Sequence, residues 1–109
     1  MNKKIDKKKV YQIIHQYLEV LRENNLNYAK VYLYGSYAQG NYKKDSDIDL
    51  AIVSDDFSGD VIDDQFLLMK LRRKVDLRIE PHPFLIEEFS TDDPFVKTII
   101  ETGEEITDN

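Results

Sequence analysis

Asp47 and Asp49 flank Ile48 at the head of an apolar run that continues through Leu50, Ile52 and Val53. In an extended strand alternate side chains share a face, so the two carboxylates would point the same way, about 6.6 Å apart along the chain. A third carboxylate, Asp76, sits in VDLRI (Val75–Ile79), whose alternation predicts a strand carrying Asp76, Arg78 and Glu80 on its polar face. If the two strands are neighbours, Asp76 approaches the Asp47/Asp49 pair. At about 4 Å and an effective dielectric near 20, each pair of like charges costs on the order of 4 kcal/mol. A divalent cation reverses that sign, and an all-oxygen ligand set selects Mg²⁺ or Mn²⁺ over zinc. Carboxylates that hold two such ions about 3.5–4 Å apart suit in-line phosphoryl or nucleotidyl transfer. Taken alone, the Asp-rich stretch also fits a solvated loop of turn-forming side chains. An EF-hand is excluded, because Leu50 and Asp56 stand where the loop needs Gly and Glu.

Gly35-Ser36 is the second chemical feature. It ends an apolar strand and precedes a short helical stretch, where a residue without Cβ lets backbone approach an anion and a hydroxyl adds a donor. Alone, Gly-Ser is ordinary turn chemistry. It is no Walker loop, since Gly-Lys-Ser/Thr is missing, and it lacks the three glycines of a dinucleotide fold. The combination is more demanding than its parts: a Gly-Ser turn, ten residues, Asp-x-Asp opening a strand, then a strand Asp 27 residues after Asp49.

The elements that must position these residues follow from periodicity. Val10, Ile13, Ile14, Tyr17, Leu18 and Leu21 recur at helical spacing and predict an amphipathic helix from Lys8 to about Asn25. KVYLY (Lys30–Tyr34) predicts a buried strand, and Ser36 is a candidate N-cap for a one-turn helix, Tyr37–Gln39, stopped by Gly40. DIDLAIV (Asp47–Val53) is the second strand and Ser54–Asp60 a loop. A second long helix, Val61 to about Arg73, has Val61, Ile62, Phe66, Leu67, Met69 and Leu71 as apolar positions, blurred by Leu68. Pro81 and Pro83 close the VDLRI strand, and short helical pieces at Phe84–Phe89 and about Pro94–Glu101 precede Gly103 and an acidic tail. Strands separated by helices predict an α/β (α+β) layered fold with a small mixed sheet.

At LYGSYAQGNYKKDSDIDLAIV and VDLRI the chain resembles the minimal nucleotidyltransferases of the polymerase-beta-like superfamily, over roughly Val10 to Ile79. The resemblance implies that fold and an enzyme that moves AMP from ATP, with Mg²⁺ (or Mn²⁺), onto a hydroxyl. It implies Asp47, Asp49 and Asp76 as catalytic metal ligands, Asp76 also activating the hydroxyl, and Gly35 with Ser36 as phosphate contacts. Many relatives carry a basic residue where Gln39 stands, so part of the phosphate-charge neutralisation would be weaker or would come from Lys43 or Lys44. Stand-alone members pair as antitoxins with helical HEPN-type toxins and transfer AMP to a toxin tyrosine. The competing readings are an antitoxin that neutralises its partner by contact alone, and an adenylyltransferase for a small hydroxylated molecule in a pocket completed by a homo-oligomer.

Composition bounds the partners. At 109 residues the expectation is one domain over 1–109, with a flexible tail at 102–109. Fifteen Lys+Arg against 21 Asp+Glu give a net charge of −6, which disfavours nucleic acid and anionic membrane as partners. Cysteine is absent, and no apolar run approaches the roughly 20 residues of a membrane span, so the expected setting is cytoplasmic. Tyr32, Tyr34, Tyr37 and Tyr42 flank the candidate site and are read first as packing residues, His15 as solvated, and His82 as a turn residue. The Arg72, Arg73 and Lys74 cluster suits a helix C-terminus.

Overall fold

The β-branched and aromatic run at Lys30–Tyr34 (β1) and the apolar run at Ile48–Val53 (β2) pair antiparallel, from Lys30 opposite Val53 to Tyr34 opposite Asp49. A computed structural model, describing residues 3–43 and 45–107, places a long helix at Lys3–Glu23 (α1) before them and a single turn at Ser36–Gln39 (α2) between them. A helix at Val61–Arg72 (α3) carries the chain to a strand at Ile79–Phe84 (β3), which lies parallel to β2. A 3₁₀ turn at Ile86–Glu88, a helix at Pro94–Thr102 (α4) and a two-residue strand at Glu104–Glu105 (β4) complete it, with sheet order β3-β2-β1-β4. The sheet is mixed, as expected for α+β layers.

Strand alternation splits the interior into two layers. Val31, Leu33, Ile48, Leu50, Ile52 and Ile79 face α1 and α3, meeting Ile14, Tyr17, Leu18, Leu21, Leu68 and Leu71. Tyr17 donates to the Leu68 carbonyl at 2.7 Å, so its buried hydroxyl also ties α1 to α3. The opposite face carries Tyr32 and Ala51 against Ile99 of α4, with Tyr34, Phe84 and Phe89 packed around them. α1 begins five residues before the expected Lys8, and Asn25 ends the segment in a left-handed conformation (φ 64°).

α3 reverses one expectation. Asp64, Leu68 and Leu71 form its buried stripe, whereas Ile62 and Phe66 are 75% and 72% exposed and Val61 and Leu67 also face outward. Leu68, which seemed to blur the pattern, is the core residue; helix apolarity all round conceals which stripe packs. Asp60 caps the helix by accepting from the Ile62 and Asp63 backbone N–H groups, and buried Asp64 accepts from Ser58 and Gly59. Leu68→Ala should therefore cost about 2–5 kcal/mol of stability. Phe66→Ala should stay within about 0.5 kcal/mol, since no packing is lost. Urea unfolding of the two variants checks the contrast.

β3 departs most from the sequence expectation. Val75–Arg78 is not a strand: Val75 and Asp76 donate to the Arg72 carbonyl, extending the end of α3 into turns, and Leu77 is 67% exposed. The strand is Ile79–Phe84, and Pro81 and Pro83 lie inside it instead of closing it. β3 is an edge strand whose even-numbered residues pair with β2, so the two prolines place their missing N–H groups on the outer side. Gln65 donates to the Pro81 carbonyl at 2.5 Å and Arg72 to the Ile79 carbonyl at 2.8 Å, covering the rest of that edge. His82 is accordingly a half-buried strand residue and not a turn residue.

The acidic end is also more ordered than expected. Glu104 and Glu105 pair with Leu33 and Tyr32 of β1, and Glu104 accepts from Tyr11 at 2.5 Å and from Lys7 at 2.9 Å. Within the expected tail, 102–109, β4 pairs with β1; Asp108 and Asn109 lie outside the described residues. Among the described residues no helix is long and apolar enough to cross a membrane.

Candidate active site

The β1–β2–β3 register sets Tyr34 opposite Asp49 and Asp49 opposite Glu80, so these three side chains form one row across the sheet face that α4 partly covers. Asp49 is the half-buried centre of the row. Asp47 stands exposed just before β2, which begins at Ile48 and not at Asp47.

The turn after β1 is built around that carboxylate. Gly35 has φ 76° and ψ −151°, a region essentially reserved for glycine. A Cβ there would lie 2.3 Å from Oδ2 of Asp49, so the turn closes over the acid only because residue 35 has no side chain. Gly35 occupies the cap position of α2, and Ser36 is the first helical residue instead of the expected N-cap. Gly40, at φ 83°, ends α2 as expected.

Burial, joined by the nearby charges of Asp47 and Glu80, pushes the Asp49 carboxyl up to about 6. These causes name the carboxylates that share its field. Because the folded-state value lies above the ordinary one, the folded protein holds the proton more tightly than the unfolded chain between about pH 4 and 6. The metal-free protein should consequently gain stability as pH falls from 7 toward 5, and Asp49→Asn should flatten that slope. Melting temperature against pH measures both.

Asp76 is elsewhere. It lies in the turn before β3, where Oδ1 accepts from the Arg78 backbone N–H (2.8 Å) and Nε (3.1 Å), and Oδ2 accepts from Nη2 (3.0 Å). The Arg78 guanidinium holds its carboxyl below the usual range, with a smaller contribution from Lys9. Arg78 also donates to the Tyr37 hydroxyl at 3.5 Å, so this ion pair braces the loop below α2. The structure therefore sets Asp49 against Gly35 and within the field of Asp47 and Glu80, and puts Asp76 against Arg78. The reason is the later start of β3: residue 80, not 76, takes the register position beside Asp49. A pattern in the sequence marks the strand itself, since Ile79, Pro81 and Pro83 alternate with Glu80, His82 and Phe84, but not its register with β2.

Among the described residues no three His, Cys, Asp or Glu side chains enclose a single metal position. The carboxylates form an open row. Such a row, all oxygen and beside a turn that admits an anion, fits Mg²⁺, which keeps several waters and takes one or two carboxylates plus substrate phosphates instead of a full protein cage. Tyr37 and Tyr42 stack at 4.5 Å between ring centroids and serve packing. Gln39 and Lys43 are exposed; Lys44 lies outside the described residues.

Comparison with known proteins bears on the fold and the family. The chain is similar in fold to a protein from Sulfolobus solfataricus assigned to the nucleotidyltransferases (19% identity, 96% of this chain, 86% of that one, TM-score 0.68). It is also similar to a toxin–antitoxin structure with AMP-PNP (25% identity, 87% of this chain, 70% of that one, TM-score 0.59). A mutant of the toxin–antitoxin pair MntA–HpeT matches at 23% identity, over 84% of this chain and 69% of that one, with TM-score 0.57. No match is found among curated proteins. The family model for the nucleotidyltransferase domain matches residues 14–104, from the middle of α1 through the first residue of β4. By that match over most of its length, the chain belongs to the nucleotidyltransferase domain family.

Proposed function

We propose that this protein transfers AMP from ATP to a hydroxyl on a partner protein, a tyrosine of a helical HEPN-type toxin, and thereby acts as an antitoxin. The observation that carries the reading is the Asp49 carboxylate seated on Gly35, with Asp47 and Glu80 as its charged neighbours. The similarity to toxin–antitoxin structures supports the kind of partner.

In this reading Asp47 and Asp49 hold Mg²⁺, and the Gly35–Ser36 turn receives the triphosphate. Glu80 takes the third-carboxylate role that the sequence suggested for Asp76. A divalent cation bound there neutralises the triphosphate and lowers the pKa of the attacking hydroxyl. The acceptor oxygen bonds to the α-phosphorus as the bond to the β-phosphate oxygen breaks, pyrophosphate leaves, and the acceptor proton passes to Glu80. Asp76 keeps Arg78 in place. The setting is cytoplasmic, where ATP and the partner meet.

One observation favours contact-only neutralisation: the outward apolar face of α3, with Val61, Ile62, Phe66 and Leu67, is suited to a protein partner. The two readings separate on Asp49→Asn. Incubation of the co-expressed partner with labelled ATP and Mg²⁺ should add AMP mass with the wild type and none with the variant. If the variant still silences the partner fully, contact alone suffices and the transferase reading of the antitoxin role is wrong.

A further inference from the structure

Tyr34 closes β1 and stands beside Asp49 in the carboxylate row, yet its hydroxyl is buried with no hydrogen-bond partner among the described residues. A buried hydroxyl without a partner forfeits its bond to water and gains nothing in return. Phenylalanine would fill the same space without that cost. The ring cannot easily swing out to solvent: Phe95 of α4 meets it edge-on at 5.7 Å and His82 of β3 lies 6.0 Å away, while Phe95 and His82 are themselves in edge contact at 6.0 Å. The packing thus fixes a polar atom that the protein fold itself does not use. The charges that act on this hydroxyl are those of Asp49 and Glu80.

We propose that Tyr34 is a positioning residue for the cation site, its hydroxyl donating a hydrogen bond to the Asp49 or Glu80 carboxylate once that carboxylate turns to hold a divalent ion. The inference rests on the reading of the carboxylate row given above. A phenol carries its proton at neutral pH, and an ionised carboxylate offers about four lone-pair positions. When one oxygen faces the ion, the other is left to an outer partner, and such partners orient the ligand and raise its affinity. Tyr34 is the donor already built into the row, held by α4 from the far side. The open arrangement of the carboxylates and the unused hydroxyl then have a single cause: both are completed by the same small rotation.

Tyr34→Phe tests this without disturbing the ring packing. Calorimetric titration with Mn²⁺, alone and with AMP-PNP, should show roughly 10–100-fold weaker metal uptake than the wild type, the range for losing an outer-sphere partner. The melting temperature of the metal-free variant should equal or exceed the wild-type value, because an unsatisfied buried group has been removed. Unchanged Mn²⁺ affinity overturns the role of Tyr34 while leaving the cation site intact. A lower metal-free melting temperature also overturns it, since the hydroxyl would then be serving the fold. A wild type that takes up no Mn²⁺ under either condition overturns the cation site itself, and this inference with it.

Discussion

If the proposed reaction is right, Glu80→Gln should lower ATP-dependent AMP transfer by on the order of 10²–10³-fold, the scale of removing one charged group from a preorganised site. Asp76→Asn leaves transfer within severalfold of wild type. The contrast follows from β3, which starts at Ile79 and sets Glu80 in register with Asp49, whereas Asp76 is spent on three contacts with Arg78. The Asp76 change should instead register as stability, about 1 kcal/mol for a partly exposed ion pair. Its pH signature also differs from that of Asp49. Because Arg78 holds the Asp76 carboxyl below its ordinary value, the stability it adds is present above that ordinary value and is lost as pH falls through the folded one. Single-turnover transfer with labelled ATP, together with urea unfolding, measures both variants. If Asp76→Asn is the one that abolishes transfer while Glu80→Gln is active, the third carboxylate is Asp76 after all.

Gly35→Ala has a comparably large effect by a different route. Its backbone lies where side chains are not accommodated, at a cost of about 1–3 kcal/mol. The new Cβ would also fall 2.3 Å from Oδ2 of Asp49, so that the carboxylate or the turn must move. Transfer should be abolished in the single variant. Adding Asp49→Ala should recover part of the lost stability and none of the activity, since the clash disappears while the backbone strain and the missing ligand remain. Melting temperatures of Gly35→Ala, Asp49→Ala and the double variant form a cycle that isolates the clash. Additive losses would mean that the turn does not press on Asp49.

The contrast between α3 and β2 shows why parts of this fold were readable and parts were not. β2 opens on an alternation, with Ile48, Leu50 and Ile52 toward the helices and Asp49 away, so its faces follow from the order of its residues. α3 has apolar residues distributed around its axis, and only contact with α1 and the sheet selects Leu68 and Leu71 for burial over Ile62 and Phe66. β3 misled for a related reason. VDLRI has a strand-like alternation, and two prolines read as a stop, but an edge strand tolerates proline on its unpaired side. Edge position is a property of the assembled sheet, and Pro81 and Pro83 read as its mark only once Ile79–Phe84 is known to be a strand. β4 is shorter still: its two glutamates become a strand because β1 offers them a free edge and Lys7 and Tyr11 receive the first of them.

Local spacing alone determined the Gly35-Ser36 turn, the Asp47 and Asp49 carboxylates, β1 and β2, and the mixed α+β layering, because each depends on a few neighbouring residues and on strand or helix period. Tertiary structure alone decided that Glu80 sits beside Asp49, that Asp76 belongs to Arg78, and that the Tyr34 hydroxyl is buried at the site. Register between strands far apart in sequence is chosen by how α3 ends and how both sheet faces pack, and a shift of one residue exchanges the faces.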